Sequence, residues 1–301
     1  MLRTLALLTL LSICASSYAS TNADSSEEDS TLEFIKVEDG AKQQAILTLI
    51  NLTNSTGISQ LPSKENSTAP NRIVGGRPIT IGEVPWQTAV IQANVFVCGG
   101  SIISSYWVLT AAHCVYGNAS KPHSVRAGSN FFKQGGQLRK VDRVAYHGAF
   151  NPKTSVNDIA LLRTSKPFKF NSNVQSIRLP TSNSEPSIYF VSGWGTLSEN
   201  GVQPTRQLRG VNLYLQQRTT CAAANSGKIQ VTENQLCASA PNQDTCYGDS
   251  GGALTSQSTQ YGIVSYGVGC ARPKYPGVYT KVYKYLTWIT TVMKSLSRTR
   301  N

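Results

Sequence analysis

The sequence predicts an all-β fold, a sandwich or a pair of barrels, with one helix at the C-terminal end. Short runs of β-branched and aromatic residues alternate with glycine, proline and asparagine breaks, and no helical pattern lies between them: WQTAVIQ, FVCGGSII, WVLTAA, IALLR, SIYFVSGWG, YGIVSYG and GVYTKV. Residues 282–296 differ, because their apolar side chains recur at steps of three and four. That spacing is typical of an amphipathic helix packed on a core.

The first 20 residues, MLRTLALLTLLSICASSYAS, have the composition of a signal peptide. A basic Arg3 precedes an apolar run that ends at Cys14, and the small residues Ser17 and Ala19 flank a cleavage site. An N-terminal membrane anchor is the alternative, but the apolar run is too short to span a bilayer. We therefore expect a signal peptide at 1–19 and a secreted, extracellular protein without a membrane span.

The composition of residues 20–72 predicts an extended leader segment. They are rich in Ser, Thr, Asn and Glu, contain no Cys, Trp or Tyr, and carry glycosylation sequons at Asn51, Asn54 and Asn66. All four tryptophans and twelve of the thirteen tyrosines lie beyond position 72. We therefore expect one compact domain over residues 73–301.

Charge is divided unevenly between these two parts. The leader segment holds four bases and eight acids, 4 − 8 = −4, whereas residues 73–301 hold 23 bases and eight acids, 23 − 8 = +15. A basic secreted domain attracts acidic polysaccharide, nucleic acid or anionic membrane, and a solvated surface that favours solubility is an equal alternative. We expect no nucleic-acid partner, because no Lys/Arg run is interleaved with aromatic residues.

The cysteines predict disulfides rather than a metal site. Cys14 leaves with the signal peptide, so 7 − 1 = 6 cysteines remain in an oxidising compartment. There is no CxxC and there are only three histidines, so we expect no metal and no cofactor. The residues alone leave 15 pairings open, while chain order suggests neighbouring pairs: Cys98 with Cys114, Cys221 with Cys237, and Cys246 with Cys270.

Three stretches carry chemically active side chains in the order His, Asp, Ser: LTAAHC with His113, NDIALLR with Asp158, and DTCYGDSGG with Ser250. Each is a weak signal by itself. Together with RIVGG, GWG, SYG and PGVYTKV they resemble the trypsin/chymotrypsin family of serine peptidases, from residue 73 to about residue 296. The resemblance implies two antiparallel six-stranded β-barrels with a cleft between them and a C-terminal helix.

The resemblance also implies a role for each motif residue. His113 acts as general base towards the Ser250 hydroxyl, a weak nucleophile near neutral pH, and Asp158 orients the imidazole. Ser265 donates a hydrogen bond to that carboxylate. The backbone N–H groups of Gly248 and Ser250 form the oxyanion hole.

Specificity is expected to come from Asp244, six residues before Ser250. A carboxylate at the bottom of a desolvated slot selects a cation, so cleavage is expected after Arg or Lys. By resemblance Ser265, Gly267 and Gly277 belong to the same pocket, and the disulfide between Cys246 and Cys270 braces it.

Activation is expected to follow cleavage of the Arg72–Ile73 bond, which makes residues 20–72 a propeptide. The released α-amine of Ile73 is then the partner of the buried Asp249. The leader segment has no cysteine to tether it afterwards. A trypsin-like protease, or the enzyme itself, would cut after Arg72, and serine protease inhibitors are expected partners of the monomer.

Three positions bear on how far the resemblance extends. Tyr266 stands where the family usually has Trp, and the loop at 127–137 lacks the carboxylates of a calcium site. The fourth sequon, Asn118, lies on a loop near the expected cleft.

The resulting expectation is a secreted, trypsin-like serine endopeptidase. The alternative is a protease-fold binding protein that acts through a basic, glycan-binding surface.

Overall fold

Two antiparallel barrels contain most of the strands in the computed structural model, which describes residues 74–226 and 230–298. The signal peptide predicted at 1–19, the propeptide at 20–72 with Arg72 and its three sequons, and Ile73 lie outside the described residues. A two-residue strand, β1 (Arg77–Pro78), precedes the first barrel and pairs with a strand of the second.

The first barrel is closed by six strands in the order β2-β3-β4-β7-β6-β5. Small and apolar side chains fill it, including Val90, Ile102, Leu109 and Leu161, each with no exposed surface. The strands are β2 (Gln87–Gln92), β3 (Val95–Ser104), β4 (Trp107–Thr110), β5 (His123–Ala127), β6 (Gln137–Tyr146) and β7 (Ala160–Thr164).

The second barrel runs β9-β10-β13-β12-β11-β8 and closes where β8 pairs with β9. Its core includes the fully buried Leu213, Leu254 and Tyr279. The strands are β8 (Ile188–Gly193), β9 (Arg209–Gln216), β10 (Gln235–Ser239), β11 (Ala253–Ser256), β12 (Thr259–Tyr266) and β13 (Gly277–Lys281). The prediction of two six-stranded antiparallel barrels is confirmed.

Two α-helices accompany the barrels in the part of the chain that the structure describes. The expected C-terminal helix begins as a 3₁₀ turn, Val282–Tyr285, and continues as α2 (Leu286–Arg298). Val282, Tyr285 and Ile289 pack into the core cluster of the first barrel. A second helix, α1 (Arg218–Ala224), was not predicted. Its sequence RTTCAAA is too short for a periodic signal, and the alanines favour a helical turn.

The barrels face one another through polar contacts between buried groups. Gly99 N donates to Ser250 O at 2.8 Å, and Ser101 Oγ donates to Gln260 Oε1 at 2.6 Å. Three disulfides join Cys98 to Cys114, Cys221 to Cys237 and Cys246 to Cys270, the pairs that chain order suggested. The loops that leave the barrels at this junction carry the candidate site.

Candidate active site

His113 and Asp158 are brought together by two neighbouring strands of the first barrel. His113 lies in the 3₁₀ turn Ala112–Cys114 just after β4, and Asp158 lies just before β7. These two strands pair, with Thr110 opposite Ala160. His113 Nδ1 donates to Asp158 Oδ2 at 2.7 Å, and its backbone N donates to Oδ1 at 2.9 Å. One carboxylate thus fixes both the ring and the backbone of the histidine.

The Asp158 carboxylate is itself held by its surroundings. Ser265 Oγ donates to Oδ2 at 2.6 Å, and Thr280 Oγ1 donates to the Asp158 carbonyl at 2.8 Å. The preceding residue, Asn157, accepts a hydrogen bond from Tyr285 Oη at 2.9 Å. Asp158 has no exposed surface. These contacts keep the carboxylate in one orientation towards His113.

The electrostatics of this pair favour a basic imidazole. Burial by itself lowers the pKa of His113, but the charge of Asp158 and its hydrogen bond outweigh that effect, so the pKa lies above its ordinary value. Because Nδ1 keeps its proton for the carboxylate, Nε2 carries the lone pair. The ring can therefore accept a proton at Nε2 from a neighbouring group.

Ser250 lies in a turn between β10 and β11 that requires glycine at two places. Gly248 has φ +98° and Gly251 has φ +77°, values that side chains disfavour. A Cβ on Gly251 would lie 2.1 Å from Thr110 Oγ1, at the end of β4. The motif GDSGG therefore lets this turn press against the end of the strand that precedes the histidine.

The same turn presents two free backbone donors. Asp249, Gly251 and Gly252 all donate to backbone carbonyls, whereas the N–H groups of Gly248 and Ser250 donate to no acceptor in residues 74–226 and 230–298. Paired N–H groups beside a hydroxyl can stabilise an oxyanion, because they are already oriented before charge develops.

His113 and Ser250 line one cleft of about 670 Å³. Asp244 lines it as well, and Tyr116 and Phe150 form part of an aromatic wall, with ring centroids 5.3 Å apart. The structure thus brings a base, a hydroxyl and a second carboxylate into a single concave space. The aromatic wall was not identified from the sequence, because neither residue belongs to a motif.

Asp244 is a buried carboxylate, 4% exposed, that borders this cleft. Oδ2 accepts a hydrogen bond from Ala271 N at 2.9 Å, and Oδ1 accepts one from Thr245 N at 2.8 Å. Burial raises the pKa of Asp244 to about 7, and these two bonds oppose the rise only in part. Gly267 also lines the cleft, and a Cβ on Gly277 would lie 3.2 Å from Oδ1. No base within the described residues forms an ion pair with this carboxylate.

We expect the affinity for a small amidinium compound, benzamidine, to fall as the pH drops through about 7. Above that pH Asp244 is charged and can bind a cation, whereas below it the carboxyl is neutral. The dissociation constant should then rise by about tenfold per pH unit. Calorimetric titrations from about pH 5 to about pH 9 would measure this.

The control for this titration is Asp244→Asn, which keeps the size of the side chain and leaves His113 in place. Its affinity for benzamidine should be low and should depend much less on pH. The pH dependence that remains is the contribution of His113. A wild-type dissociation constant that stays the same on both sides of pH 7 would contradict the assignment of Asp244 as the cation-binding group.

Asp249 is a second buried carboxylate and has no exposed surface. Oδ1 accepts from Gly195 N at 2.8 Å and Oδ2 accepts from Cys246 N at 2.9 Å. Burial raises its pKa to about 6 against the effect of these bonds. A Cβ on Gly195 would lie 2.3 Å from Oδ2, so the glycines of GWG leave room for this side chain. The carboxylate forms no ion pair with a base in the described ranges.

One ion pair near the cleft was missed by sequence reasoning. Arg272 Nε donates to Glu199 Oε2 at 2.8 Å, and Nη2 donates to Oε1, in a bidentate pair. The two residues lie 73 positions apart, and neither belongs to a motif, so no sequence signal marks them. The pair joins the loop after GWG to the loop that begins at Cys270. The backbone N of Cys270 also donates to Glu199 Oε2, at 3.4 Å.

His113 also lies near two sulfur atoms, those of Cys98 and Cys114. Three such side chains within 4.8 Å resemble a metal-binding group. Both sulfurs are joined in the disulfide, however, and a disulfide sulfur is not a thiolate ligand. We therefore interpret this cluster as the structural support of the histidine.

Comparisons with known proteins agree with this geometry. The family model for trypsin matches residues 73–289. The chain is 39% identical over 227 residues to trypsin alpha of Drosophila melanogaster, across 75% of this chain and 89% of that one. It is 41% identical over 223 residues to the vitellin-degrading protease of Bombyx mori, across 72% and 84%.

A solved structure is similar as well. Neuropsin, a serine protease expressed in the limbic system of mouse brain, superimposes with a TM-score of 0.67 at 33% identity, across 72% of this chain and 98% of that one. The barrels, the cleft between them and these relatives define a serine endopeptidase, a hydrolase of peptide bonds. More narrowly, the chain belongs to the trypsin family.

Proposed function

We propose that this protein is a secreted trypsin-like endopeptidase, made as a zymogen, that cleaves after Arg or Lys through His113, Asp158 and Ser250. The observation that carries the proposal is the single cleft that holds His113, Ser250 and the buried Asp244. Each of these residues has one chemical task there.

Peptide hydrolysis begins with proton transfer. His113 Nε2 takes the proton of the Ser250 hydroxyl as that oxygen attacks the scissile carbonyl, and the same proton then goes to the leaving amine. Asp158 stabilises the imidazolium that forms between these steps, which its hydrogen bond of 2.7 Å to Nδ1 supports. A water molecule repeats the sequence to release the acyl product from Ser250.

The tetrahedral intermediate carries a negative charge on the former carbonyl oxygen. The free N–H groups of Gly248 and Ser250 are the donors for this oxygen. One such donor is typically worth about 10²–10³ in kcat, because its dipole is oriented in advance.

Specificity is assigned to Asp244. A guanidinium or ammonium group that enters the slot provides the cation that the buried carboxylate lacks within the described residues, and it holds the carboxyl in its charged form. Gly267 and Gly277 are the positions where a side chain would narrow the slot. Ser265 contributes from β12, where it also bonds Asp158.

Activation is assigned to cleavage of the Arg72–Ile73 bond. The α-amine of Ile73 is the proposed partner of Asp249, whose burial calls for a cation. The next residues already lie beside the specificity slot: Val74 O accepts a hydrogen bond from Asp244 N at 3.1 Å. Insertion of the new terminus would therefore order both the Ser250 turn and the slot.

Secretion is proposed from the signal peptide at 1–19, and residues 20–72 are the proposed propeptide. Asn51, Asn54, Asn66 and Asn118 are proposed glycosylation sites. Residues 74–226 and 230–298 contain no helix that is long and apolar enough to cross a membrane. Protein substrates, an activating trypsin-like protease and serine protease inhibitors are the proposed partners.

The test of this function is the Arg72→Gln variant. We expect the secreted, uncut variant to be nearly inactive on peptides, because no free amine can reach Asp249. The wild type, once cut after Arg72, should cleave Arg and Lys peptides in preference to matched Phe and Leu peptides. Both results are read as kcat/KM, with N-terminal sequencing to locate the cut.

The matched control is Arg206→Gln, which removes an exposed base from a loop of the second barrel and should be activated as the wild type is. If uncut Arg72→Gln turned over Arg peptides as fast as the cut wild type, the zymogen proposal would fail. If the cut wild type preferred Phe or Leu, the specificity proposal would fail instead.

A further inference from the structure

The carboxylates of the peptidase domain are arranged so that they leave one surface strongly positive. Residues 73–301 contain eight Asp and Glu side chains. Three of them, Asp158, Asp244 and Asp249, are buried at the site. The other five each form an ion pair with one base: Glu83 with Arg77, Asp142 with Arg163, Glu185 with Lys281, Glu199 with Arg272, and Glu233 with Lys284. Within the described residues, none of these ion pairs includes Lys121, Lys140, Arg143, Lys166 or Lys169.

Five such bases lie together on the outside of the first barrel, and we call them the basic face: Lys121, Lys140, Arg143, Lys166 and Lys169. All five side chains are exposed. None of them lines the cleft that holds His113 and Ser250. The basic face is thus a second surface, separate from the candidate active site.

Backbone contacts place the loop after β7 directly against β6. Ser165 N donates to Lys140 O at 2.8 Å, and Arg139 Nε donates to Pro167 O at 2.9 Å. The Gln137 side chain donates to Lys169 O at 2.6 Å and accepts from Lys169 N at 2.9 Å. Lys166 and Lys169 are therefore held beside the strand that carries Lys140 and Arg143.

A small cavity of about 260 Å³ lies at the other side of the same strand. Lys121 and Arg143 both line it, with Ser120 and the buried His123. His123 Nδ1 donates to Lys121 O at 2.7 Å, which fixes the loop that carries the lysine. Asp142 also lines the cavity.

Arg143 keeps its charge available despite that acid. Arg143 lies opposite Arg163 in the pairing of β6 with β7. Arg163 Nη1 forms an ion pair with Asp142 Oδ2 at 3.3 Å. Among the described residues, Arg143 donates to the Asp142 backbone carbonyl at 2.8 Å and forms no ion pair. Two like charges placed directly opposite across strands repel each other.

We propose that the basic face binds an extended sulfated polysaccharide and that the cavity between Lys121 and Arg143 takes one of its sulfate or carboxylate groups. Charge complementarity supports this occupant: five exposed bases meet a regular row of anions, with release of counterions. Between Lys140 and Arg143, β6 carries Val141 and Asp142, neither of which offers an aromatic ring on which a nucleic-acid base would stack. The face therefore favours a polysaccharide over a nucleic acid.

The function of this surface follows from its position. A polysaccharide bound there leaves the cleft open, since the two sets of lining residues do not overlap. The active enzyme would be retained where sulfated polysaccharide is dense, such as an extracellular matrix, and would still cleave peptides.

The experiment is heparin binding of Lys140→Gln/Arg143→Gln as a function of salt. Wild type should elute from a heparin column above physiological salt. The logarithm of its binding constant should fall linearly with the logarithm of salt concentration, and the variant's slope should be smaller by about two, one for each lost contact. Its kcat/KM on a small Arg peptide should equal that of wild type, which also shows that it folds.

The matched control is Arg206→Gln/Arg218→Gln, which removes two exposed bases from the region of the second barrel and changes the net charge equally. It should keep the wild-type slope. An equal loss in both variants, or wild-type elution below physiological salt, would overturn the proposal. Competition by double-stranded DNA as strong as that by heparin at equal charge would overturn the identity of the ligand.

Discussion

Ser250→Ala is expected to lower kcat for peptide hydrolysis by about six orders of magnitude, with a much smaller effect on substrate binding. The change removes the oxygen that attacks the carbonyl, while the backbone N–H of residue 250 and the cleft remain. His113 is then left without a proton to accept. Steady-state assays on an Arg peptide give kcat, and benzamidine titration of the same protein gives the affinity of the slot.

A matched control is Ser184→Ala, the same chemical change at an exposed serine. It should hydrolyse peptides as the wild type does. Undiminished hydrolysis by cut Ser250→Ala would show that another group is the nucleophile. Loss of benzamidine affinity together with activity would instead indicate that the variant does not fold correctly.

Asp244→Ser is expected to lower kcat/KM for Arg and Lys peptides by about two to four orders of magnitude. Removal of one partner of a buried ion pair costs about 3–5 kcal/mol, and about 1.36 kcal/mol corresponds to one decade. Slow cleavage after large apolar residues should persist, because His113, Asp158 and Ser250 are unchanged. Matched Arg, Lys, Phe and Leu peptides measure this change of specificity.

The control removes an exposed carboxylate in the same way, as Asp142→Ser. It should keep the preference for Arg and Lys. A cut Asp244→Ser enzyme that still prefers Arg by the wild-type ratio would place the specificity carboxylate elsewhere. Loss of Phe cleavage as well would indicate a structural role for Asp244, whose oxygens accept bonds from Thr245 N and Ala271 N.

The family to which the chain belongs favours one of the two functions that the sequence allowed, an enzyme or a binding protein. Trypsin-family membership, together with the cleft that His113 and Ser250 line, supports an enzyme over a binding protein. The basic surface that motivated the alternative is proposed to be a second binding surface of the same molecule. Its charge is separated from the cleft, so binding and catalysis can be tested with different variants.

The strands that the sequence predicted are those with apolar or aromatic side chains. WVLT became β4 and GVYTK became β13, with every residue buried. β6 was not predicted, because its sequence QLRKVDRVAY is polar and its side chains are half-buried or exposed. Hydrogen bonds to β5 and β7 make it a strand, and such long-range pairing leaves no local signal.

The candidate residues His113, Asp158 and Ser250 could be proposed from the sequence because their motifs, each a weak signal by itself, together resemble one family. In GDSGG, Gly248 and Gly251 adopt positive φ angles. A Cβ built on Gly251 would lie 2.1 Å from Thr110 Oγ1, so a side chain does not fit at that position. The residue types of the motif reflect these local requirements of the backbone.

The sequence by itself therefore determined the class of fold, the candidate groups of the site and the net charge of residues 73–301. Only the tertiary structure decided where these lie. Ser265 reaches Asp158 across 107 positions, Glu199 meets Arg272 across 73, and the bases of the basic face come from three separate segments. Burial, pKa and the pairing of charges depend on neighbours in space, and chain folding, rather than any local pattern, chooses those neighbours.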